Sequence, residues 1–214
     1  NRAGPRTEAA LLEAMEERQV TVDGVTRPLP RPFLVIATQN PIELEGTFPL
    51  PEAQIDRFLM RLSLGYPSRS QEIEIFHRFR QHNPLNELKP VVRTEDILAA
   101  SAACRNVFVH PALETYIMDL VEASRRSSSI TLGVSPRASL ALYRASQALA
   151  ATQGRDYVAP EDIKRLAMPV LAHRLILAVD ARMRGRSSRD VLTELLAEVA
   201  VPVEENWSEN AVTT

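Results

Sequence analysis

The sequence predicts a mostly helical chain in which an incomplete parallel α/β portion precedes an all-helical portion. Residues 33–37 are five apolar residues in a row, which is typical of a strand buried on both faces, as in a parallel sheet covered by helices. Residues 59–64 form a second strand-like run, and from residue 68 the apolar residues recur with helical spacing. Apolar residues make up 45% of the 214 residues and charged residues 24%, which is typical of a globular protein.

The chain is predicted to begin with a helix and a β-hairpin. Residues 7–16 place their apolar side chains on one face of a helix. Residues 19–26 alternate with period two around the pair Asp23-Gly24, which indicates two antiparallel strands joined by a tight turn. We expect this hairpin to extend over residues 19–29, where a run of prolines follows.

The two predicted strands are separated by a loop and a short helix. The first strand, residues 33–37, ends at the polar run Thr38-Gln39-Asn40-Pro41. A loop rich in glycine and proline leads to a short helix from about residue 52 to residue 58. The second strand, residues 59–64, ends at Gly65-Tyr66-Pro67, after which the apolar residues recur with helical spacing. We therefore assign residues 1–67 to a first unit, called the front portion.

The back portion, residues 68–203, is predicted to be helical, with residues 204–214 as a polar tail. Capping residues such as Ser135-Pro136 mark several helix starts. Residues 176–185 fit a helix poorly and are predicted to form a small hairpin. The predicted helices cover residues 69–81, 94–105, 110–126, 135–152, 159–172 and 187–199.

Composition limits the classes of function. The 25 basic and 27 acidic residues give a net charge of −2, so no whole-chain attraction to nucleic acid or to an anionic membrane is expected. The single cysteine, Cys104, permits no internal disulfide and fits a reducing compartment. The apolar runs are too short to span a bilayer and no targeting segment is evident, so we expect a cytoplasmic protein. No cysteine pair or histidine spacing suggests a metal site.

Three residues are candidates for chemistry on physical grounds. Asn40 follows the first strand directly, and ligands of open α/β sheets lie at the carboxyl ends of strands, so Asn40 is placed to meet a substrate or an attacking water. The alternative is an asparagine that closes a turn before Pro41. Arg57 is presented by the short helix and can reach a phosphate on a neighbouring subunit. Its alternative role is a local surface ion pair with Asp56 or Glu52.

Arg137 is the third candidate. Ser135 is the predicted cap of its helix and Pro136 the first helical residue, so Arg137 lies in the first turn. A cation there opposes the helix dipole by about 0.3–1 kcal/mol. The arrangement becomes favourable when an anion docks at the helix start, because backbone N–H groups and the guanidinium then converge on it. A solvated surface arginine is the alternative.

Taken together, these segments resemble the MoxR family of AAA+ ATPases over residues 1 to about 203. The resemblance implies that Asn40 is the sensor 1 residue, Arg57 the arginine finger and Arg137 the sensor 2 residue that closes on the nucleotide phosphates. It also implies that the 19–29 hairpin is the insertion before sensor 1. The runs that carry the resemblance are Asn1-Arg2-Ala3, residues 11–24 (LLEAMEERQVTVDG), residues 35–43 (VIATQNPIE), residues 45–58 (EGTFPLPEAQIDRF) and residues 133–138 (GVSPRA).

The sequence departs from the family at its front end. In the family, Asn1-Arg2-Ala3 follows directly on the acidic Walker B pair, and this chain contains no G-x-x-x-x-G-K-[ST] phosphate loop. By the same resemblance, another strand of the core sheet separates the two strands at 33–37 and 59–64. We therefore expect a fragment of a longer ATPase that alone neither binds ATP tightly nor hydrolyses it. The missing strand leaves two alternatives: either the chain is a piece of a longer protein, or residues 1–67 fold differently on their own.

The resemblance also implies a function for the parent protein. Such ATPases bind ATP and Mg²⁺, assemble into a ring that is expected to be a hexamer, and remodel or mature client proteins, often together with von Willebrand A domain proteins. One alternative is an AAA+ motor of the chelatase or nucleic-acid-remodelling type. The near-neutral net charge of the chain argues mildly against nucleic acid as the substrate of such a motor. The other alternative is a non-enzymatic interaction fragment.

Overall fold

The computed structural model describes residues 5–39 and 51–202, and helices dominate this part of the chain. Short 3-10 turns at Pro84–Glu87 and Ala172–Arg174 connect some of the helices. In chain order the elements are α1 (Pro5–Glu16), β1 (Gln19–Val22), β2 (Val25–Pro28), α2 (Glu52–Ile55), α3 (Arg69–Arg78), α4 (Thr94–Cys104), α5 (Pro111–Arg126), β3 (Ile130–Leu132), α6 (Pro136–Thr152), α7 (Pro160–Leu171), β4 (Ile176–Leu177), α8 (Val179–Met183) and α9 (Ser188–Glu198).

The hydrophobic core lies among α5, α6, α7 and α9. The buried face of α6 is lined by small side chains, including Ala138, Ala141 and Ala145, and this allows the neighbouring helices to approach closely. Larger side chains fill the space around that face. The most deeply buried of them include Leu113, Tyr116 and Leu120 of α5, Leu142 of α6, Ile163 and Leu171 of α7, and Leu192 of α9.

The six helices predicted for the back portion are confirmed, with ends within three residues of the predicted ones. Local capping explains why the sequence was sufficient here. The side-chain oxygen of Ser135 accepts a hydrogen bond from the N–H of Ala138 at 3.2 Å, and Ser187 forms a reciprocal capping box with Asp190. The backbone N–H groups of the first helical turn have no acceptor within the helix. Capping hydrogen bonds supply that acceptor and so determine which residue begins the helix.

The hairpin is also confirmed. β1 and β2 pair in antiparallel register from Gln19 opposite Pro28 to Val22 opposite Val25. The two turn residues, Asp23 and Gly24, have φ values of 51° and 77°, the left-handed conformation that a type I′ turn requires at both positions.

The two strands predicted at 33–37 and 59–64 are not formed. Both described sheets are two-stranded antiparallel pairs, and most apolar side chains of these segments face solvent, with Leu34 78%, Ile36 81% and Leu64 99% exposed; Met60 packs against the core. A strand needs a neighbouring strand to satisfy its N–H and C=O groups, and none of the described residues forms one beside either segment. The N–H of Arg61 donates instead to the carbonyl of Pro169 in α7 at 2.9 Å.

The hairpin predicted for residues 176–185 is wrong. Ile176–Leu177 forms β4, but its partner is β3 (Ile130–Leu132), and the following residues form the short helix α8. The pairing buries Ile130 and Leu177 against the core. Burial of these two side chains is a long-range effect, which the local pattern of the sequence does not contain.

Helices α3 and α4 lie outside the core. Neither contains a buried residue, and no residue between positions 68 and 106 is buried. Large apolar side chains of α3, including Phe76, remain exposed. These two helices therefore rest on local capping and helix propensity more than on packing.

Candidate functional site

Arg57 lies in the turn that directly follows α2, which ends at Ile55, three residues before the predicted end at about residue 58. The helix begins directly after Pro51, and its hydrogen-bonded turns continue past Ile55, because the N–H of Arg57 donates to the carbonyl of Gln54 at 3.1 Å. The N–H of Phe58 likewise donates to the carbonyl of Ile55. The backbone around Arg57 is thus held in a defined turn, which limits where its guanidinium lies.

Arg137 is carried by the first turn of α6, as the sequence predicts. Ser135 caps the helix, Pro136 is its first residue, and the Arg137 side chain is about half exposed. Its position depends on the loop before the helix, where Gly133 lies against α5. A Cβ at Gly133 would come within 2.9 Å of the backbone nitrogen of Arg125, so only glycine permits this approach.

Two hydrogen bonds fix the residue after that glycine. The N–H of Val134 donates to the hydroxyl of Ser124 at 3.0 Å, and Nε of Arg125 donates to the carbonyl of Val134 at 3.0 Å. Ser124 and Arg125 belong to α5, and Val134 belongs to the loop between β3 and α6. The start of α6, and with it Arg137, is therefore positioned by α5.

Glu16, the last residue of α1, joins the two arginines. Its Oε1 lies 2.9 Å from Nε of Arg57, and an Nη of Arg57 donates to Oε2 at 3.0 Å. An Nη of Arg137 donates to Oε1 of the same carboxylate at 2.6 Å. Hydrogen bonds from Arg57 and then from Arg137 hold the pKa of Glu16 below its ordinary value. The sequence did not single out Glu16, because a polar residue at the end of an amphipathic helix carries no motif.

These residues line an open cleft of about 450 Å³. Its walls are Met15 and Glu16 at the end of α1, Glu17 directly after it, Arg57 in the turn after α2, and Arg137 in the first turn of α6. Two guanidinium groups and two carboxylates therefore face the same space. Guanidinium forks match the oxygens of carboxylates and phosphates, so the cleft has the donors for a phosphate-bearing ligand.

Asp56 connects α2 to the back portion of the chain. The hydroxyl of Ser135 donates to Oδ1 of Asp56 at 3.2 Å, and Nε of Arg174 forms an ion pair with the same oxygen at 3.2 Å. The cap residue of α6 thus contacts the residue just before Arg57. The carboxylate of Asp56 thus joins the end of α2 to the start of α6.

Arg174 completes the junction. Its side chain is only 2% exposed, and it donates to the carbonyls of Asp56 at 3.1 Å, Phe58 at 2.7 Å and Val170 at 3.1 Å. Burial lowers the pKa of Arg174, while the charge of Asp56 acts in the opposite direction. A buried guanidinium with four oxygen partners holds the turn around Arg57 against the end of α7.

Of the three predicted site residues, the structure brings Arg57 and Arg137 together on one carboxylate. Asn40 lies outside the described residues. Among residues 5–39 and 51–202, no three histidine, cysteine, aspartate or glutamate side chains are grouped as metal ligands. In the same part of the chain, no helix combines the length and the apolar character needed to cross a membrane.

Two family models match the chain. Residues 1–60 match the ATPase family associated with various cellular activities (AAA), and residues 122–195 match the AAA lid domain.

Curated relatives and a solved structure extend the likeness to nearly the whole chain. YeaC of Bacillus subtilis is 46% identical over 204 residues, which are 95% of this chain and 64% of YeaC. Chaperone MoxR1 of Mycobacterium tuberculosis is 44% identical over 94% of this chain and 55% of its own length. A crystal structure of a candidate ATPase from Cytophaga hutchinsonii superposes with a TM-score of 0.88 at 40% identity, covering 95% of this chain and 64% of that one.

The chain thus spans less than two thirds of each of these relatives. Glu16 and Arg57 lie in the segment that matches the first model and Arg137 lies in the segment that matches the second, so the cleft is formed by residues of both matched segments. The chain belongs to the MoxR family of AAA+ ATPases and carries part of the family's ATPase core together with its helical lid.

Proposed function

We propose that this chain is part of a MoxR-type ATPase that couples ATP hydrolysis to the remodelling or maturation of partner proteins. The observation that carries the proposal is the convergence of Arg57 and Arg137 on one carboxylate in an open cleft. Membership of the AAA+ family supports ATP as the ligand, and the name of the Mycobacterium relative, a chaperone, supports a protein client.

In this proposal each site residue has a separate role. Arg137 closes on the phosphates of the nucleotide bound by its own subunit. Arg57 reaches the nucleotide of the next subunit in a ring, where a guanidinium neutralises charge that develops on the transferred phosphoryl group. Asn40 orients the attacking water. The proposed assembly is a hexameric ring in the cytoplasm, with client proteins and von Willebrand A domain proteins as partners.

The chain's own residues fit the phosphates of ATP and not the magnesium ion. The two guanidinium groups supply N–H donors for phosphate oxygens, which is the donor set that a polyphosphate needs. The sequence holds no phosphate-loop motif, and the described residues hold no acidic cluster for Mg²⁺. We therefore expect these 214 residues to bind polyphosphate weakly and to show no steady ATP turnover.

Calorimetric titration of the 214-residue chain with ATP at millimolar concentration tests the arginine roles. In the isolated chain both guanidinium groups line the same cleft, so Arg57→Ala and Arg137→Ala should each weaken binding about five- to tenfold, because each removes a charge-assisted contact to phosphate. Arg184→Ala removes an equal charge from an exposed position on another element and should change the affinity less than about twofold. Equal losses for all three variants would show non-specific charge attraction and contradict the assignment.

A mixing experiment tests membership of a ring. Adding this chain to an intact MoxR-type ATPase should lower ATP turnover per intact subunit, because the chain would occupy ring positions without a phosphate loop. Arg57→Ala should lower it further, since the neighbouring site then also lacks its arginine. Turnover that is unaffected by an excess of the chain would contradict assembly into such a ring.

A further inference from the structure

We propose that Glu16 acts as an internal competitor for the anion that Arg57 and Arg137 bind, and that phosphate must displace it. The inference rests on the proposed function, in which these two arginines contact nucleotide phosphates. Beyond that function, the inference gives Glu16 a role: its carboxylate occupies Arg57 and Arg137 while no phosphate is bound. We call the group of Glu16, Arg57 and Arg137 the Glu16 latch.

The geometry of the latch copies the recognition of an anion. Arg57 holds the Glu16 carboxylate by a hydrogen bond from an Nη to Oε2 at 3.0 Å and by an ion pair of Nε with Oε1 at 2.9 Å, and guanidinium groups also bind phosphate oxygens by charge-assisted contacts. Arg137 adds a third contact, 2.6 Å from the same carboxylate. The donors that a phosphate would need on these edges are thus already bound to an oxygen anion of this chain.

The charges of the cleft lead to the same conclusion. Glu16 and Glu17 together balance Arg57 and Arg137, so the cleft lining has no net charge while all four are ionised. A phosphate that enters without displacing Glu16 would be repelled by two carboxylates and would find both arginines occupied. When Glu16 turns away, the arginine pair is available to the incoming anion.

The two proposed arginine roles cannot both operate while the latch is closed. Arg57 would face the nucleotide of a neighbouring subunit and Arg137 that of its own subunit. One carboxylate at the end of α1 holds both guanidinium groups within 3.0 Å of its oxygens. Nucleotide binding and ring assembly must therefore break at least one of the Glu16 contacts. All three side chains are partly exposed, so an incoming anion has access to them.

Inorganic tripolyphosphate provides the test, because it carries the phosphate charge without a base or sugar. Calorimetric titration of the full 214-residue chain should give about fivefold or greater tighter binding for Glu16→Gln than for the wild type, since two ion pairs no longer compete. Glu17→Gln is the matched control: it removes the same charge from the adjacent, exposed residue of the same cleft and should tighten binding less than about twofold. Equal effects of the two variants would overturn the proposal.

A second variant keeps the test independent of any loosening of α1. Glu16→Asp retains the charge on a shorter side chain that cannot reach both arginines, so it too should tighten binding. If it binds no more tightly than the wild type although circular dichroism shows a folded chain, direct competition is refuted. If Arg57→Ala binds tripolyphosphate as well as the wild type does, the proposed phosphate role of Arg57 fails, and the latch fails with it. If both Glu16 variants bind tripolyphosphate no more tightly than the wild type, while Arg57→Ala weakens binding, the latch is refuted and the phosphate role of Arg57 is retained.

Discussion

One carboxylate at the end of α1 determines where two guanidinium groups lie, although they are 41 and 121 residues away from it in the sequence. Sequence reasoning found Arg57 and Arg137, because their helices and family motifs are local features. It missed Glu16, since nothing nearby in the sequence shows what lies opposite the end of a helix. Asn40 was predicted with equal clarity but lies outside the described residues.

The acidity of Glu16 gives a direct measure of its contacts. Its pKa in the folded chain is lowered, first by the hydrogen bond from Arg57 and then by that from Arg137. NMR titration should therefore show Glu16 below its ordinary value of 4.5, and Arg57→Ala should move it back toward that value. The stability that Glu16 contributes is present above pH 4.5 and is lost as the pH falls through the lower, folded-state pKa. A Glu16 titration that Arg57→Ala leaves unchanged would contradict the pairing.

Tyr116 provides a test inside the core. The residue is 1% exposed and its hydroxyl has no hydrogen-bond partner among the described residues, and burial raises its pKa. Tyr116→Phe removes an unsatisfied polar group and should raise the free energy of unfolding by up to about 1 kcal/mol in urea denaturation. Tyr143 is partly buried, and its pKa is raised first by burial and then by the charge of Glu114; it serves as the control, and Tyr143→Phe should change that free energy by less than about 0.5 kcal/mol. A loss of stability in Tyr116→Phe would mean that the Tyr116 hydroxyl has a partner.

At the scale of elements, the junction between α2 and the end of α7 depends on a few polar side chains more than on apolar packing. Arg174 serves three backbone carbonyls and the carboxylate of Asp56, and Asp56 in turn reaches the cap of α6. The helices themselves were predictable from capping residues and periodicity. The junction was not, because an arginine in a sequence with 23 of them carries no sign that it is buried.

Replacement of Arg174 measures how much the polar junction contributes to the free energy of unfolding, apart from the hydrophobic core. Arg174→Ala removes the donor to the carbonyl of Asp56 and the shorter of two contacts to the carbonyl of Phe58, which His173 Nε2 also approaches at 3.4 Å, and it should cost about 2–4 kcal/mol of unfolding free energy. Arg174→Lys should recover only part of that loss, because an ammonium group cannot direct its donors along a planar fork. Arg184→Ala, at an exposed position, should cost less than about 0.5 kcal/mol. Urea denaturation measures all three, and a neutral Arg174→Ala would contradict the structural role of the junction.

At the scale of the whole molecule, most of the confirmed predictions concern helices of the back portion, whose packing partners lie in the same portion. Helices α5, α6, α7 and α9 of the back portion pack on one another, so their pattern in the sequence contains most of the information needed, and the starts of α3 and α4 are fixed by local capping. The segments 33–37 and 59–64 have strand-like composition but no neighbouring strand, and composition alone cannot supply the missing hydrogen bonds. The pairing of β3 with β4 joins residues more than forty positions apart, which local patterns do not show.

The exposure of α3 and α4 has a calorimetric consequence. Unfolding raises the heat capacity of a globular protein by about 12–15 cal/mol/K per residue, because buried apolar surface becomes hydrated. Residues 68–106 contain no fully buried side chain, and their large apolar side chains are 40–92% exposed, so these groups are already partly hydrated in the native state and add less than usual to this increment. The heat-capacity change of the chain, divided by its 214 residues, should therefore fall clearly below that range. Its stability curve should accordingly be flatter with temperature than its length suggests.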